Sequence, residues 1–353
     1  MKRYRHFFAD PLALLLLFSV VVLSQQPALA TEQEKTWLDW NRPAERNLCQ
    51  DEPTFVWVEH EQGKECIRYF PGDDIRNAPV VIAQFYGDRD RVMRKPVDQI
   101  RNNTRSSQEG YAARQTRRAG IPVVVVARPG TYGSSGDHPQ RRQPKEYHSL
   151  NAALDRIKER YGIQQFVLSG HSGGATAAAA LLTLGRTDIR CAALSSGAYD
   201  LLKRAEMLRK AKGRRPRTGF DTTGLADPYD PLDHVQNIAH DPERLVIILG
   251  NPEDSITPFS LQLAFANALE DAGHRVRVDI HPAREPTFHN LIGHVAIETA
   301  GRCGQAMEIE RHHSEGEVTL EPHASERLVS FSTTRLSPIE LEALMRTLSP
   351  DCR

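Results

Sequence analysis

Six runs of apolar residues recur along the chain: "APVVIAQFYG" at 78–87, "IPVVVVARPG" at 121–130, "QQFVLSG" at 164–170, "IRCAALSS" at 189–196, "RLVIILG" at 244–250 and "RVRVDIHPA" at 275–283. A strand covered on both faces is apolar at successive positions, whereas one with a wet face alternates. Helix-like segments over 145–161, 173–184 and 258–272 separate the later runs, the last with Pro258 at the first helical position and a stop at Gly273. Strands alternating with helices predict an α/β fold, a mainly parallel central sheet with helices on both faces. Before the first run, "TFVWVEHE" and "ECIRYF" around "QGK" predict a β-hairpin.

Two stretches interrupt the alternation. Residues 88–118 are polar and arginine-rich, and predict a loop leading into the helix after the first parallel strand. Residues 199–240 exceed what a simple crossover needs, and predict a small cap above the strand ends. Within it, "LLKRAEMLRKAKGRRPR" at 201–217 is basic enough to draw anionic substrates or an anionic surface, or to be only a solvated helix face. A C-terminal extension over about 301–353 is weakly patterned and closes with an amphipathic segment, "SPIELEALMRTL". At 353 residues, 31–353 can form one large domain. Lys+Arg and Asp+Glu stand at 45 each, so no nucleic-acid partner is expected.

The first 30 residues have the pattern of a signal peptide. Lys2, Arg3 and Arg5 precede an apolar run at 11–23, and Ala28-Leu29-Ala30 supplies a small-x-small cleavage site. The run is shorter than the roughly 20 residues that span a bilayer, so no stable membrane anchor is expected after cleavage. Export to a periplasmic or extracellular compartment would let disulfides persist. Of the five cysteines, Cys191 lies in a strand-like run and is the candidate for the unpaired one. The other four allow three pairings, of which Cys49–Cys66 with Cys303–Cys352 keeps both bridges local.

Gly170-His171-Ser172-Gly173-Gly174 lies between a predicted strand and a predicted small-residue helix. This is the context of a nucleophile elbow, where small neighbours let the backbone close while the serine oxygen points outward. The N–H of Gly173, at the start of the helix, would face a developing oxyanion. A second donor is expected after the first parallel strand, at Tyr86-Gly87-Asp88. The candidate is the Asp88 N–H, with Gly87 allowing the turn; the Tyr86 hydroxyl is the alternative, and a plain glycine turn the bland reading.

A serine needs a base, and the base an orienting acid. Asp254 follows the strand "RLVIILG" and is the candidate acid, with Glu253 its neighbour and competitor; Asp279 falls inside a strand, and a plain helix cap is the bland reading of Asp254. Three histidines follow the last predicted strand. His281 comes early, His289 sits in the loop before a helix, and His294 falls inside that helix; His289 is the first choice and His294 the second. Ser134 and Ser135 read as loop residues, and His312-His313 as a loose surface pair. No cofactor or metal is expected.

Together these motifs resemble the α/β-hydrolase superfamily, and within it the prolyl-oligopeptidase-like peptidases and dienelactone-hydrolase-like esterases. The resemblance rests on "QFYGD", "RPGTYGSSG", "GHSGG", "DPLDHVQNI", "GNPEDSITP" and a late histidine, in that order across 78–301. Tyr86 stands where the family usually has histidine, and no β-propeller is expected before the hairpin. The resemblance implies a serine hydrolase acting through an acyl-enzyme on a small-molecule ester or a short peptide. A catalytically silent binding protein on the same fold is the rival.

Overall fold

A computed structural model describes residues 37–50 and 53–314, with side chains to 306. The segment 1–30, the closing segment 337–348, Cys352 and the side chains of His312 and His313 lie outside the described residues. After a short helix α1 (Asn47–Gln50), β1 (Phe55–His60) and β2 (Gly63–Pro71) form the expected antiparallel hairpin. The six later runs become β3 (Val80–Phe85), β4 (Val123–Val126), β5 (Gln165–His171), β6 (Ile189–Ser195), β7 (Leu245–Gly250) and β8 (Arg275–Ile280). They join the hairpin in one 8-stranded sheet of order β1-β2-β4-β3-β5-β6-β7-β8, antiparallel at β1–β2–β4 and parallel from β4 to β8.

Six helices accompany the strands: α2 (Arg105–Ala119), α3 (Pro144–Tyr161), α4 (Gly173–Thr183), α5 (Leu201–Ala211), α6 (Phe259–Asp271) and α7 (Val295–Ser314). Alternate strand residues serve opposite faces. Val81, Ala83 and Phe85 pack with Leu154 of α3, all of α4's alanines and Phe265 of α6. Val80 and Ile82 pack with Ala112 and Ala119 of α2 and Ile297 and Ala300 of α7. This two-sided burial is why β4 could be read as four consecutive valines, all fully buried. No helix among the described residues is long and apolar enough to cross a membrane.

Three expectations need correcting. Cys191 is not free: it is bonded to Cys303, while Cys49 pairs with Cys66 as expected. The physical reason is the strand's alternation, which turns Cys191 towards the face covered by α7. With Cys303 so engaged, the expected Cys303–Cys352 bridge does not form. Pro258 caps α6 rather than opening it, and the helix starts at Phe259.

The strand order reverses between β3 and β5, since β3 leads to β4 on one side while β5 lies on the other. Connections diverge there, leaving a crevice at the carboxyl ends of the strands. Both the Gly87 loop, after β3, and Ser172, after β5, fall at that crevice.

Candidate active site

Ser172 occupies the single residue between β5 and α4, with φ 55° and ψ −127°. A non-glycine residue at positive φ costs about 1–3 kcal/mol, so the surrounding packing must enforce it. It does so through close backbone contact: a Cβ on Gly170 would overlap the backbone of Gly174 in the first turn of α4. The Ser172 N–H donates to the Ser195 carbonyl at 2.9 Å, and its carbonyl accepts from Ala175 at 2.9 Å and Thr176 at 3.1 Å. The backbone is fixed on both sides while the side chain keeps partial exposure.

Asp254 lies four residues past the end of β7 and is 4% exposed. Its Oδ1 accepts the N–H of Ile256 at 2.8 Å and of Thr257 at 2.9 Å, and its Oδ2 lies 2.8 Å from the Thr257 hydroxyl. The remaining partner is His289, whose Nδ1 is 2.9 Å from Oδ2 and 3.2 Å from Oδ1. Glu253, the neighbouring competitor, is exposed, and Asp279 pairs with Arg277 at 3.0 Å.

His289 is buried, in a hairpin that the sequence did not announce: β9 (Ala283–Arg284) paired with β10 (Asn290–Leu291). Two further bonds hold it. The Ser196 hydroxyl donates to the His289 carbonyl at 3.0 Å, and the Ser255 N–H to the Thr287 carbonyl at 3.0 Å, joining the acid loop to the histidine loop. The competing His294 is exposed and stands just before α7 rather than inside it; the His281 N–H donates to the Gly250 carbonyl at 2.9 Å.

His171, the residue before Ser172, lies against His289 with ring centroids 4.8 Å apart and the rings tilted by 45°. Burial first, and then the charge of His289, lower the His171 pKa to about 4. Near neutral pH it therefore carries no charge that would oppose protonation of His289.

The loop after β3 approaches Ser172 closely. A Cβ on Gly87 would stand 2.9 Å from the His171 carbonyl oxygen and 3.3 Å from Ser172 Cβ. Gly87 is thus required for proximity; its φ is not in the left-handed region. The N–H groups of Asp88 and Gly173 donate to no group among the described residues. The Tyr86 hydroxyl is engaged elsewhere, donating to Gln108 Oε1 at 2.7 Å.

The Asp88 side chain turns inward to a set of arginines. Its Oδ1 accepts from Arg128 Nη1 at 2.9 Å, its Oδ2 from Arg142 Nη2, and Arg141 Nε lies 3.4 Å from Oδ2. Arg128 also pairs with Glu146 at 2.6 Å, and Arg142 with Asp221 at 2.9 Å. Burial alone would raise the Asp88 carboxyl, yet these guanidiniums hold it well below the usual carboxylate range. The 199–240 segment is tied in by Arg204 of α5, which donates from Nε to the Ile256 carbonyl at 2.9 Å and from Nη1 to Thr222 at 3.0 Å.

Sequence reasoning missed this support. Thr257 appeared only inside the motif "GNPEDSITP", and these contacts of Ser196 and Arg204 gave no signal, because His289 and Ile256 lie tens of residues away from them. Ser134 and Ser135 are fully buried linkers, as read: Ser134 donates to the Ala127 carbonyl at 2.8 Å and Ser135 to Glu65. Among the described residues no group of three or more His, Cys, Asp or Glu could hold a metal ion.

The strand order, with a strained serine between β5 and α4, is that of the α/β-hydrolase fold. No protein-family model and no curated protein sequence matches the chain. Solved structures with a similar fold include the acylaminoacyl peptidase of Pyrococcus horikoshii, at 14% identity and TM-score 0.43, over 76% of this chain and 43% of that one. This chain therefore spans less than half of that peptidase. An esterase of Pyrococcus furiosus matches at 15% identity and TM-score 0.48, over 78% and 98% of the two chains. Est1E of Butyrivibrio proteoclasticus, with ferulic acid bound, matches at 12% identity and TM-score 0.47, over 73% and 99%.

Proposed function

We propose that the protein is an exported serine hydrolase that cleaves an ester or amide bond through an acyl-enzyme. The observation that carries the reading is the buried Asp254–His289 pair at 2.9 Å, presented beside the strained turn that bears Ser172. Asp254 accepts from Nδ1–H, which fixes the tautomer and leaves Nε2 to take the Ser172 proton as Oγ attacks the carbonyl carbon. The oxyanion receives the N–H groups of Gly173 and Asp88, both without another acceptor. His289 then returns its proton to the leaving alcohol or amine, and water, activated by the same histidine, releases the acid and restores Ser172. A protonated His289 cannot act as base, so kcat/KM falls on acidification as it protonates.

Export is part of the proposal and rests on the N-terminal pattern and the two disulfides. N-terminal sequencing of the mature protein, starting after Ala30, is the direct check.

The decisive experiment is labelling with a fluorophosphonate probe. Wild type labels and Ser172→Ala does not, and His289→Ala lowers turnover of p-nitrophenyl esters at least about 1,000-fold. Equal labelling of wild type and Ser172→Ala, or a fully active His289→Ala, overturns the assignment. No labelling at all favours a binding protein on this fold. A panel of p-nitrophenyl esters against aminoacyl- and dipeptidyl-nitroanilides separates esterase from peptidase.

A further inference from the structure

We propose that Arg89 binds a carboxylate of the substrate, so that the ester or amide cleaved at Ser172 is an anionic one. The proposal rests on the serine-hydrolase reading above and names its substrate class. Arg89 directly follows the Gly87-Asp88 loop, and its N–H donates to His138 Nε2 at 3.2 Å, which fixes its backbone. Its guanidinium lies 4.6 Å from the Tyr86 ring centroid and 5.6 Å from that of Tyr132. Stacking on two rings orients the planar fork before any ligand arrives.

Its charge has no counterpart among the described residues. Arg128, Arg141 and Arg142 each meet a carboxylate, whereas among the described residues none lies within 4.0 Å of Arg89. Arg89 Nε is buried and makes no hydrogen bond. An unmet buried donor on a cation costs free energy, and a carboxylate accepting from a guanidinium removes that cost in the geometry the two groups share. The position is also right: the Arg89 charge helps to hold His171, the neighbour of Ser172, neutral.

The cap points the same way. Lys203, Lys210, Lys212, Arg214, Arg215 and Arg217 are exposed there, and among the described residues only Lys203 has an acidic partner, Asp200 at 3.7 Å. Arg204 ties this basic segment to the acid loop. Such a surface raises the local concentration of anions at the crevice, and salt weakens the effect.

The test compares charged and uncharged forms of one substrate. On the acyl side the pair is the p-nitrophenyl monoester of glutarate and its methyl ester; on the leaving side it is acetyl-dialanine and its amide. For wild type, kcat/KM favours the charged member of one pair by at least about tenfold, and Arg89→Met lowers that ratio about 10–100-fold. The ratio is taken within one variant, so partial misfolding cancels. Arg89→Lys restores part of it, and higher salt reduces it in wild type. Calorimetry of glutarate on Ser172→Ala, with and without Arg89→Met, tests the anion site without turnover, and Arg89→Met weakens binding at least about tenfold. A ratio near one for both pairs, a ratio unmoved by Arg89→Met, or glutarate binding that is absent or unmoved overturns the proposal. Hydrolysis of the uncharged esters with no charge preference would leave the hydrolase reading standing without it. Arg89-dependent glutarate binding with no hydrolysis of any substrate would overturn the hydrolase reading, and with it the assignment of the bound anion as a substrate.

Discussion

At the scale of single residues, the site depends on groups placed where their own preferences are overruled. Ser172 accepts a positive φ because its two flanking backbone segments are already hydrogen-bonded. His171 gives up its charge. Its folded pKa of about 4 lies below the unfolded value near 6.5, so between those pH values the unfolded chain binds more protons. The contribution is fully present above about pH 6.5 and is lost as pH falls towards 4, amounting to at most about 3 kcal/mol. His138, held well below its usual value chiefly by burial, acts with the same sign. Asp230, raised to about 6 by burial, acts with the opposite one. Thermal unfolding at pH 7 and pH 5 isolates the His171 share: His171→Gln loses less Tm on acidification than wild type. Equal losses would show that His171 does not carry it.

At the scale of elements, the same Asp88 does two separable things. Its N–H has no acceptor among the described residues, while its carboxylate joins the loop after β3 to Arg128 after β4 and to Arg142, which reaches Asp221 and Thr222 in the 199–240 segment. Removing one partner from a buried ion cluster leaves the others uncompensated, which costs about 3–5 kcal/mol. Asp88→Asn is therefore expected to lower unfolding free energy by that amount in urea titration, while the fraction that remains folded keeps its turnover of neutral esters within an order of magnitude. A stability loss under about 1 kcal/mol would mean that the arginines have other counterions.

At the scale of the whole molecule, Cys191–Cys303 fastens a central strand to the helix that covers it, across a separation of 112 residues. The entropy removed from the unfolded chain grows with the loop, reaching about 5 kcal/mol for this length, against about 3 for the 17-residue separation of Cys49–Cys66. The double variant Cys191→Ala/Cys303→Ala should lose more stability than Cys49→Ala/Cys66→Ala, read as the shift in urea midpoint on non-reduced protein. The reverse order would show that strain or residual structure, not loop length, governs both bridges.

The strands, their mainly parallel pairing and the elbow around Ser172 were legible from residues alone, because both-face burial and a strand–glycine–serine–helix sequence are local patterns. Ser172, Asp254 and His289 could be named as candidates for the same reason: each follows its own strand or loop. Partnership is a different kind of information. That Cys191 bonds Cys303, that Thr257 and Ser196 brace Asp254 and His289, and that Arg128, Arg141 and Arg142 each meet a carboxylate while Arg89 meets none among the described residues depend on contacts between distant segments. Only closing the sheet and laying α7 and the cap upon it sets those distances, so the tertiary structure decided them.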